Sequence, residues 1–589
     1  MRLKNNYTPT IMKKLFLSLL TVLLPLVAFA EVEIDGIYYN LDSNTKEAEV
    51  TCGRNQYSGS VAVIPASVTY DGVEYSVTSI GDNAFNDCRL LTSVTIPDGV
   101  KSIGKDAFFA CYSLSSVNLP DGLTSIGDSG FGGCSSLPSI TIPKSLTQVG
   151  CWAFSSCGSM VSVNVPDIAT LCSIQFSMDS SNPLYNGGNL YVNGELIENL
   201  IFPNSVKSIG AYAFSGCGSI TSVTIPNSVT IIDSGVFSGC SNLTSITIPN
   251  SVNTIGDYAF SNCSSLPSIV IPNSVTSIDT CLFSGCSSLA FVDIPNSVTS
   301  IDVNAFRDCT SLSSINIPNS VTSIGDCCFA SCSSLTSIDI PNSVTSLGVS
   351  VFMRCSSLTS VTFPNSLSSI PVTSFYECSS LSSFTVPDGI KSIGDFAFEK
   401  CYSLSSITFP NSLTKIGDNV FQACKSLTSI TVPNSVKSIG EGAFCHCDSL
   451  TMVSIGNSIN EIGGGAFLEC PVLADFYCLA ENVPSTHYEA FLDSPIENTT
   501  LHVPAVSVDA YKAAVPWKNF KEVIPLDEQS IETLDYTSPA ARIDIYSVDG
   551  KFLGSASDQD EAASVVNHLP SGTTAIVKIG EKSVKVVVK

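Results

Sequence analysis

The chain has 589 residues, 44% of them hydrophobic, and a formal net charge of −25. That balance argues against nucleic acid as a partner, because phosphate binding needs clustered Lys and Arg that are missing here, and it opposes electrostatic docking to anionic lipid. A chain this long ordinarily splits into several globular domains unless a repeat takes over the burial of apolar surface.

Residues 1–30 read as a signal peptide. Lys13 and Lys14 form a basic start, Leu15 to Val27 is apolar apart from Ser18, Thr21 and Pro25, and Ala28-Phe29-Ala30 is a small-x-small cleavage pattern. Met12 precedes the lysines and is the expected start. The apolar run is too short for a membrane span, which needs about 20 residues. No second long apolar run follows, so the mature chain is expected to carry no transmembrane span. Glu31 rather than cysteine stands directly after Ala30, which argues against a lipid anchor. Residues 31–75 are expected to form an N-terminal cap.

From there a period of 23 takes over. Prolines stand at 97, 120, 143 and 166, and again from 203 to 433 at the same interval, with one step of 37 between Pro166 and Pro203. Phenylalanine keeps the beat from Phe85 to Phe154 and from Phe214 to Phe467, each followed three residues later by cysteine, which gives sixteen units. The unit reads Pro-Asn-Ser-Val-Thr-Ser-Ile-Gly-Asp-x-Ala-Phe-Ser-x-Cys-Ser-Ser-Leu-Thr-Ser-Ile-Thr-Ile. Such strict spacing identifies a solenoid. The Leu-x-x-Ile-x-Ile end alternates and suits a short strand that proline stops. Val252 to Ile255 predicts a second extended piece, and Asp-x-Ala-Phe-x-x-Cys predicts a tight turn or one turn of 3₁₀ helix. One unit alone cannot bury its eight apolar positions, but stacked units can, with neighbouring strands about 4.8 Å apart and the phenylalanines in one internal stack. The expected fold is therefore a β-rich solenoid, residues 76–525, with an insert within 167–200.

These motifs resemble the BspA-like leucine-rich repeat of bacterial surface proteins over roughly residues 60–525. The leading segment Asp35-Gly-Ile-Tyr-Tyr-Asn40 and the exit from Leu501-His-Val-Pro504 through Tyr511-Lys-Ala to Trp517 are similar to the ends of such proteins. Asn182-Pro-Leu-Tyr185 and Leu190-Tyr-Val-Asn-Gly-Glu195 look like a family variant of the repeat, with Asn193-Gly194 an expected hairpin turn. The resemblance implies a right-handed coil, location on the outer cell surface or in the medium, and binding of host extracellular-matrix or plasma proteins, glycans or other bacterial cells.

Sixteen of the 24 cysteines share one repeat position, from Cys88 to Cys470. That spacing predicts a core ladder of free thiols, with disulfides between neighbouring turns left open. Cys445-His446-Cys447 is the nearest approach to a metal cluster, but Cys447 belongs to the inward ladder, so no metal or other cofactor is expected. His446, His487, His502 and His568 are scattered. The aspartate after Ile-Gly recurs in most units and reads as a corner residue, where a catalytic dyad would be unique. No independent catalytic domain fits the remaining residues, so an enzyme is not expected.

Function then falls to the outward positions of the Leu-x-x-Ile-x-Ile strand. The first is mostly serine (Ser93, Ser222, Ser245, Ser314, Ser337, Ser429) and the second mostly threonine (Thr95, Thr141, Thr224, Thr247, Thr362, Thr408, Thr431). Successive turns depart from this with Val270, Phe291 and Asp293, Asn316, and Asp339, a candidate ligand patch anchored by Phe291. Asp293 and Asp339 lie two turns apart, about 10 Å, too far to share one calcium ion. A spacer with no specific ligand is the alternative, since small hydroxyl residues also keep an exposed ladder soluble.

After the solenoid, 526–541 reads as a polar linker and 542–589 as a small β domain. Ile543-Asp-Ile-Tyr546, Asp549-Gly-Lys-Phe-Leu553, Ala575-Ile-Val-Lys578 and Val584-Lys-Val-Val-Val588 read as short strands. Leu569-Pro-Ser-Gly572 and the strand Ser583 to Lys589 resemble the C-terminal sorting domain of the type IX secretion system, although Thr573-Thr574 replaces the usual aromatic. That resemblance implies export across an outer membrane; a cap or stalk domain is the other reading.

Overall fold

The computed structural model describes residues 30–54, 56–526, 543–547, 552–556, 565, 569, 574–579 and 582–587. The expected signal peptide and linker lie outside them, apart from Ala30 and Leu526, and so do Pro570 to Gly572 and His568. Two compact units divide between Glu195 and Leu196, inside the insert. The fold is a β-solenoid of about 19 turns with a repeat of about 23 residues, so it runs beyond the sixteen Phe-x-x-Cys units. Among the described residues no helix is long and apolar enough to cross a membrane.

The first unit opens with antiparallel strands. Ala30–Ile34 pairs with Ile37–Asp42, which pairs with Glu47–Thr51, and Ser67–Tyr70 pairs with Val73–Ile80. Asp-Gly steps make the first and last of these reversals: Asp35 and Gly36 have φ of 50° and 81°, Asp71 and Gly72 of 48° and 76°. Left-handed backbone at both central positions is what a tight hairpin turn matching strand twist requires. The far end of Val73–Ile80 then pairs in parallel with Ser102–Ile103, and the ladder continues through Ser125–Ile126, Gln148–Val149 and Gln175–Phe176. The insert folds as a six-residue helix, Ile168–Ser173, capped by the Asp167 carboxylate, followed by two 3₁₀ turns. Asn193 and Gly194 are both left-handed, at 50° and 85°, as the Asn-Gly turn predicted.

In the second unit most turns contribute two short parallel strands. The Leu-x-x-Ile-x-Ile segment pairs at an offset of 23, as in Ser222↔Ser245, and the second piece does likewise, as in Ile231↔Thr254. Ring stacking holds the core of both units. Phe85, Phe108, Phe131 and Phe154 stack with centroids 5.1–5.4 Å apart. In the second unit the stack runs unbroken from Phe214 to Phe491. Offset-parallel and edge-on aromatic pairs add about 0.5–1.5 kcal/mol beyond area burial. Tyr57 closes the first stack edge-on against Phe85, and Phe476, Trp517 and Phe520 surround Phe491 at the other end of the second. Capping aromatics of this kind cover the last open face, which in a solenoid has no neighbouring turn.

The corner is a turn without 3₁₀ helix, and hydrogen bonding explains why. Tyr258, Phe260 and Asn262 donate their N–H groups to Thr280, Leu282 and Ser284 of the next turn, while Ser261 and Cys263 donate back within their own turn to Tyr258 and Phe260. A helix would send every N–H backward. The alternation instead requires left-handed backbone twice per turn, at Tyr258 (φ 59°) and Asn262 (φ 58°), and it recurs at Cys281, Phe396 and many others. Left-handed backbone costs a non-glycine residue about 1–2 kcal/mol, which the inter-turn bonds offset.

All 24 cysteines are free thiols. The ladder thiols are more than small apolar fillers. Fourteen of the sixteen point at the phenylalanine carbonyl of the preceding turn, as Cys263 does to Phe237 O at 3.2 Å and Cys401 to Phe375 O at 3.2 Å, while Cys88 and Cys217, the first of each run, face Asn86 O and Ser219 Oγ. Where the sequence departs from cysteine, Ser494 takes over the same role, donating to Phe467 O at 2.6 Å. The donor therefore matters as well as the volume. Cys401→Ala is expected to lower unfolding free energy by about 1–2 kcal/mol through a lost hydrogen bond and a methyl-sized void, with Cys401→Ser closer to the parent in denaturant titration. Equal losses for the two variants would remove the donor argument.

Burial also pushes these thiols up, Cys88 to about 11 and Cys111 to about 12. Because the thiolate is the reactive form, alkylation of the native chain at pH 8 is expected first at exposed Cys52, then at half-buried Cys151 and Cys327. Mass spectrometry should find the ladder cysteines labelled only after unfolding.

The tail forms its own antiparallel sheet, Phe552–Ala556, Ile543–Ser547, Thr574–Ile579 and Lys582–Val587 in spatial order.

Candidate outward face and groove

Strand alternation places Val292 inward and Phe291 and Asp293 outward on Phe291–Asp293. Its parallel neighbour sets the columns: Phe291 lies beside Ser268, and Asp293 beside Val270. Phe291 thus sits in the serine column, while Val270, Asp293, Asn316 and Asp339 occupy the threonine column. Val270 is 63% exposed and Phe291 56% exposed, and the other three are exposed as well.

This stretch differs from its surroundings in backbone as well as side chains. Residues 312–318 carry no strand, so one short sheet ends at Phe291–Asp293 and another begins at Ser337–Asp339. Asn316 stands at the interruption, and asparagine is a poor strand former that competes with ladder bonds through its own side chain. Beyond it, Asp339 Oδ1 accepts a 2.5 Å hydrogen bond from Thr362 Oγ1.

A shallow groove of about 500 Å³ opens at the interruption. Asn316 and Asp339 line it; Val270, Phe291 and Asp293 do not. The sequence reading missed the other contributors, the asparagines that follow the repeat prolines: Asn296, Asn319, Asn342 and Asn365. Their signal was the same 23-residue period, hidden because an Asn after Pro also reads as an ordinary turn residue. Asn342 Oδ1 accepts the backbone N–H of Asn365 at 2.9 Å, so the column partly ties turn to turn.

The other candidates for chemistry resolve into structural roles. Corner aspartates accept the backbone N–H of the equivalent residue one turn on: Asp82 from Lys105 at 2.7 Å, Asp326 from Val349 at 2.8 Å, Asp418 from Glu441 at 2.8 Å. Where an aspartate takes the preceding glycine position at Asp302, burial, with Asp279 and Asp257 nearby, raises its carboxyl above the usual range. Threonine hydroxyls form further rungs, such as Thr244 Oγ1 to Thr221 O at 2.9 Å. Cys447 donates into the core to Phe421 O, while His446 Nδ1 lies 3.0 Å from Glu469 Oε2. His502 stacks on Tyr477 and meets Asp475 at 3.1 Å.

Turns of 23 residues joined by parallel ladders, with leucine, isoleucine, phenylalanine and cysteine inside, define a leucine-rich-repeat solenoid. The model for the BspA type leucine rich repeat region (6 copies) matches residues 67–181, 187–313, 280–401 and 368–497. The chain belongs to that family. Among solved structures, a leucine-rich repeat protein from Bacteroides ovatus is 29% identical, with 76% of this chain and 94% of that one covered and a TM-score of 0.41. A leucine-rich repeat protein from T. pallidum is 30% identical over 40% of this chain and 91% of its own, with a TM-score of 0.27. A leucine rich cell surface protein from Faecalibacterium prausnitzii is 21% identical, with 85% and 96% covered and a TM-score of 0.26. No curated protein matches.

Proposed function

We propose that this protein is a non-catalytic binding protein of the adhesin kind, exported to the medium or the outer cell surface, where it engages matrix or plasma proteins, glycans or other bacterial cells. The observation that carries this reading is the run of departures from the Ser and Thr columns on successive turns between Val270 and Asp339, where an exposed phenylalanine stands near acids and an amide. Interface energy concentrates in a few aromatic or charged anchors, and Phe291 has that character. The basic and apolar segment before Ala30, and a tail that resembles a type IX sorting domain, support export.

A panel of matrix and plasma proteins, glycans and partner cells tests the reading with the full chain. Saturable binding is expected, and Phe291→Ala should weaken a macromolecular partner by at least tenfold. Unchanged affinity in that variant would remove Phe291 as the anchor. Absence of any saturable binding would leave a spacer, the reading favoured by the regularity of the Ser and Thr columns elsewhere.

A further inference from the structure

The groove at the strand interruption has a chemistry of its own. Five primary amides, from Asn296, Asn316, Asn319, Asn342 and Asn365, line it together with the carboxylate of Asp339, and no lysine or arginine does. Each amide carries both donor and acceptor groups, with Asn342 Oδ1 already holding the Asn365 N–H, and the Thr362 hydroxyl, whose proton goes to Asp339, adds an acceptor. Groups that both give and accept match a ligand rich in hydroxyls, since every hydroxyl does the same. A charged ligand fits less well. Asp339 and the net charge of −25 oppose sulfated, sialylated or phosphorylated chains. The volume of about 500 Å³ lies in the ordinary range for small-ligand clefts.

Order along the solenoid adds to this. Asn296, Asn319, Asn342 and Asn365 occupy one repeat position on four successive turns, so their spacing follows the turn repeat of about 4.8 Å. A linear polymer lying along the column would meet the same amide at regular intervals. We infer that this groove binds an uncharged, linear glycan, with the asparagine column reading successive sugar hydroxyls. The inference rests on the binding reading above and assigns it one ligand class at the groove, a site apart from Phe291.

The test uses the full chain against immobilised neutral polysaccharides, with sulfated and sialylated glycans and matrix proteins alongside. Asn316→Leu and Asn319→Leu keep side-chain size while removing the amides; Asn250→Leu makes the same change at the equivalent position outside the groove. Thermal melts establish that all three variants fold. Saturable neutral-glycan binding that falls at least tenfold in the two groove variants, and stays within twofold in Asn250→Leu, is the expected result. Neutral-glycan binding indifferent to the groove variants would overturn the inference, as would binding to anionic glycans or proteins alone, and each would leave the broader binding reading standing. Binding to nothing on the panel would overturn both.

Discussion

Replacing Phe306 by aspartate is expected to unfold the turns on either side of it. The ring is wholly buried between Phe283 and Phe329, with both centroid separations 5.5 Å. Truncation to alanine alone should cost about 3–5 kcal/mol, from lost transfer energy and the cavity left behind. Aspartate adds the burial of a charge, and no cation lies in that stack of rings and thiols to compensate it. Because each turn is stabilised by its neighbours, the damage should spread locally before it spreads globally. Limited proteolysis should therefore cut Phe306→Asp near residues 283–329 under conditions where the parent chain resists. An intact proteolysis pattern and an unchanged melt would show that the ring stack contributes little.

Deleting one whole unit should do far less harm. Removal of residues 410–432 joins Phe409 to Pro433 and leaves every equivalent position in register. Phe398 would stack on Phe444 instead of Phe421, Cys447 would reach Phe398 O, and Ser392 would pair with Ser438 in place of Lys415. Nearest-neighbour additivity then predicts a cooperative melt only slightly below that of the parent. Removing residues 410–421 alone leaves an incomplete turn without its ring, and should behave like Phe306→Asp. Circular dichroism melts of the two deletions compare them directly. Equal loss of structure in both would contradict additivity.

The contrast between those two deletions follows from what a period expresses. Equivalence is legible in sequence: spacing alone assigns Phe306, Cys309 and Asp326 to columns, and the structure places the rings and thiols of those columns in the core and the aspartates at corners. Asp-Gly and Asn-Gly turns are legible for the same kind of reason, since only a few residues accept left-handed backbone readily. Tyr258 and Phe396 hid the corner geometry, because neither residue type announces the left-handed backbone that it adopts. The thiol's second role was hidden too. A buried cysteine reads as a small hydrophobe until the carbonyl it faces is located.

The candidate site was legible only in part. Departures from the repeat drew attention to Val270, Phe291, Asp293, Asn316 and Asp339, but an exposed row of side chains carries no depth. Asn316 and Asp339 share a groove with asparagines from the Pro-Asn turns, whereas Phe291 stands in a different column.

By itself, the sequence determined the turn length, the buried columns and the family, because a strict 23-residue period leaves one way to bury eight apolar positions per unit. Tertiary structure decided where backbone hydrogen bonds go between turns, and so where the ladder stops at residues 312–318 and a groove opens. Those choices depend on N–H and C=O groups that every residue carries alike, and only the stacked neighbour determines which of them pair.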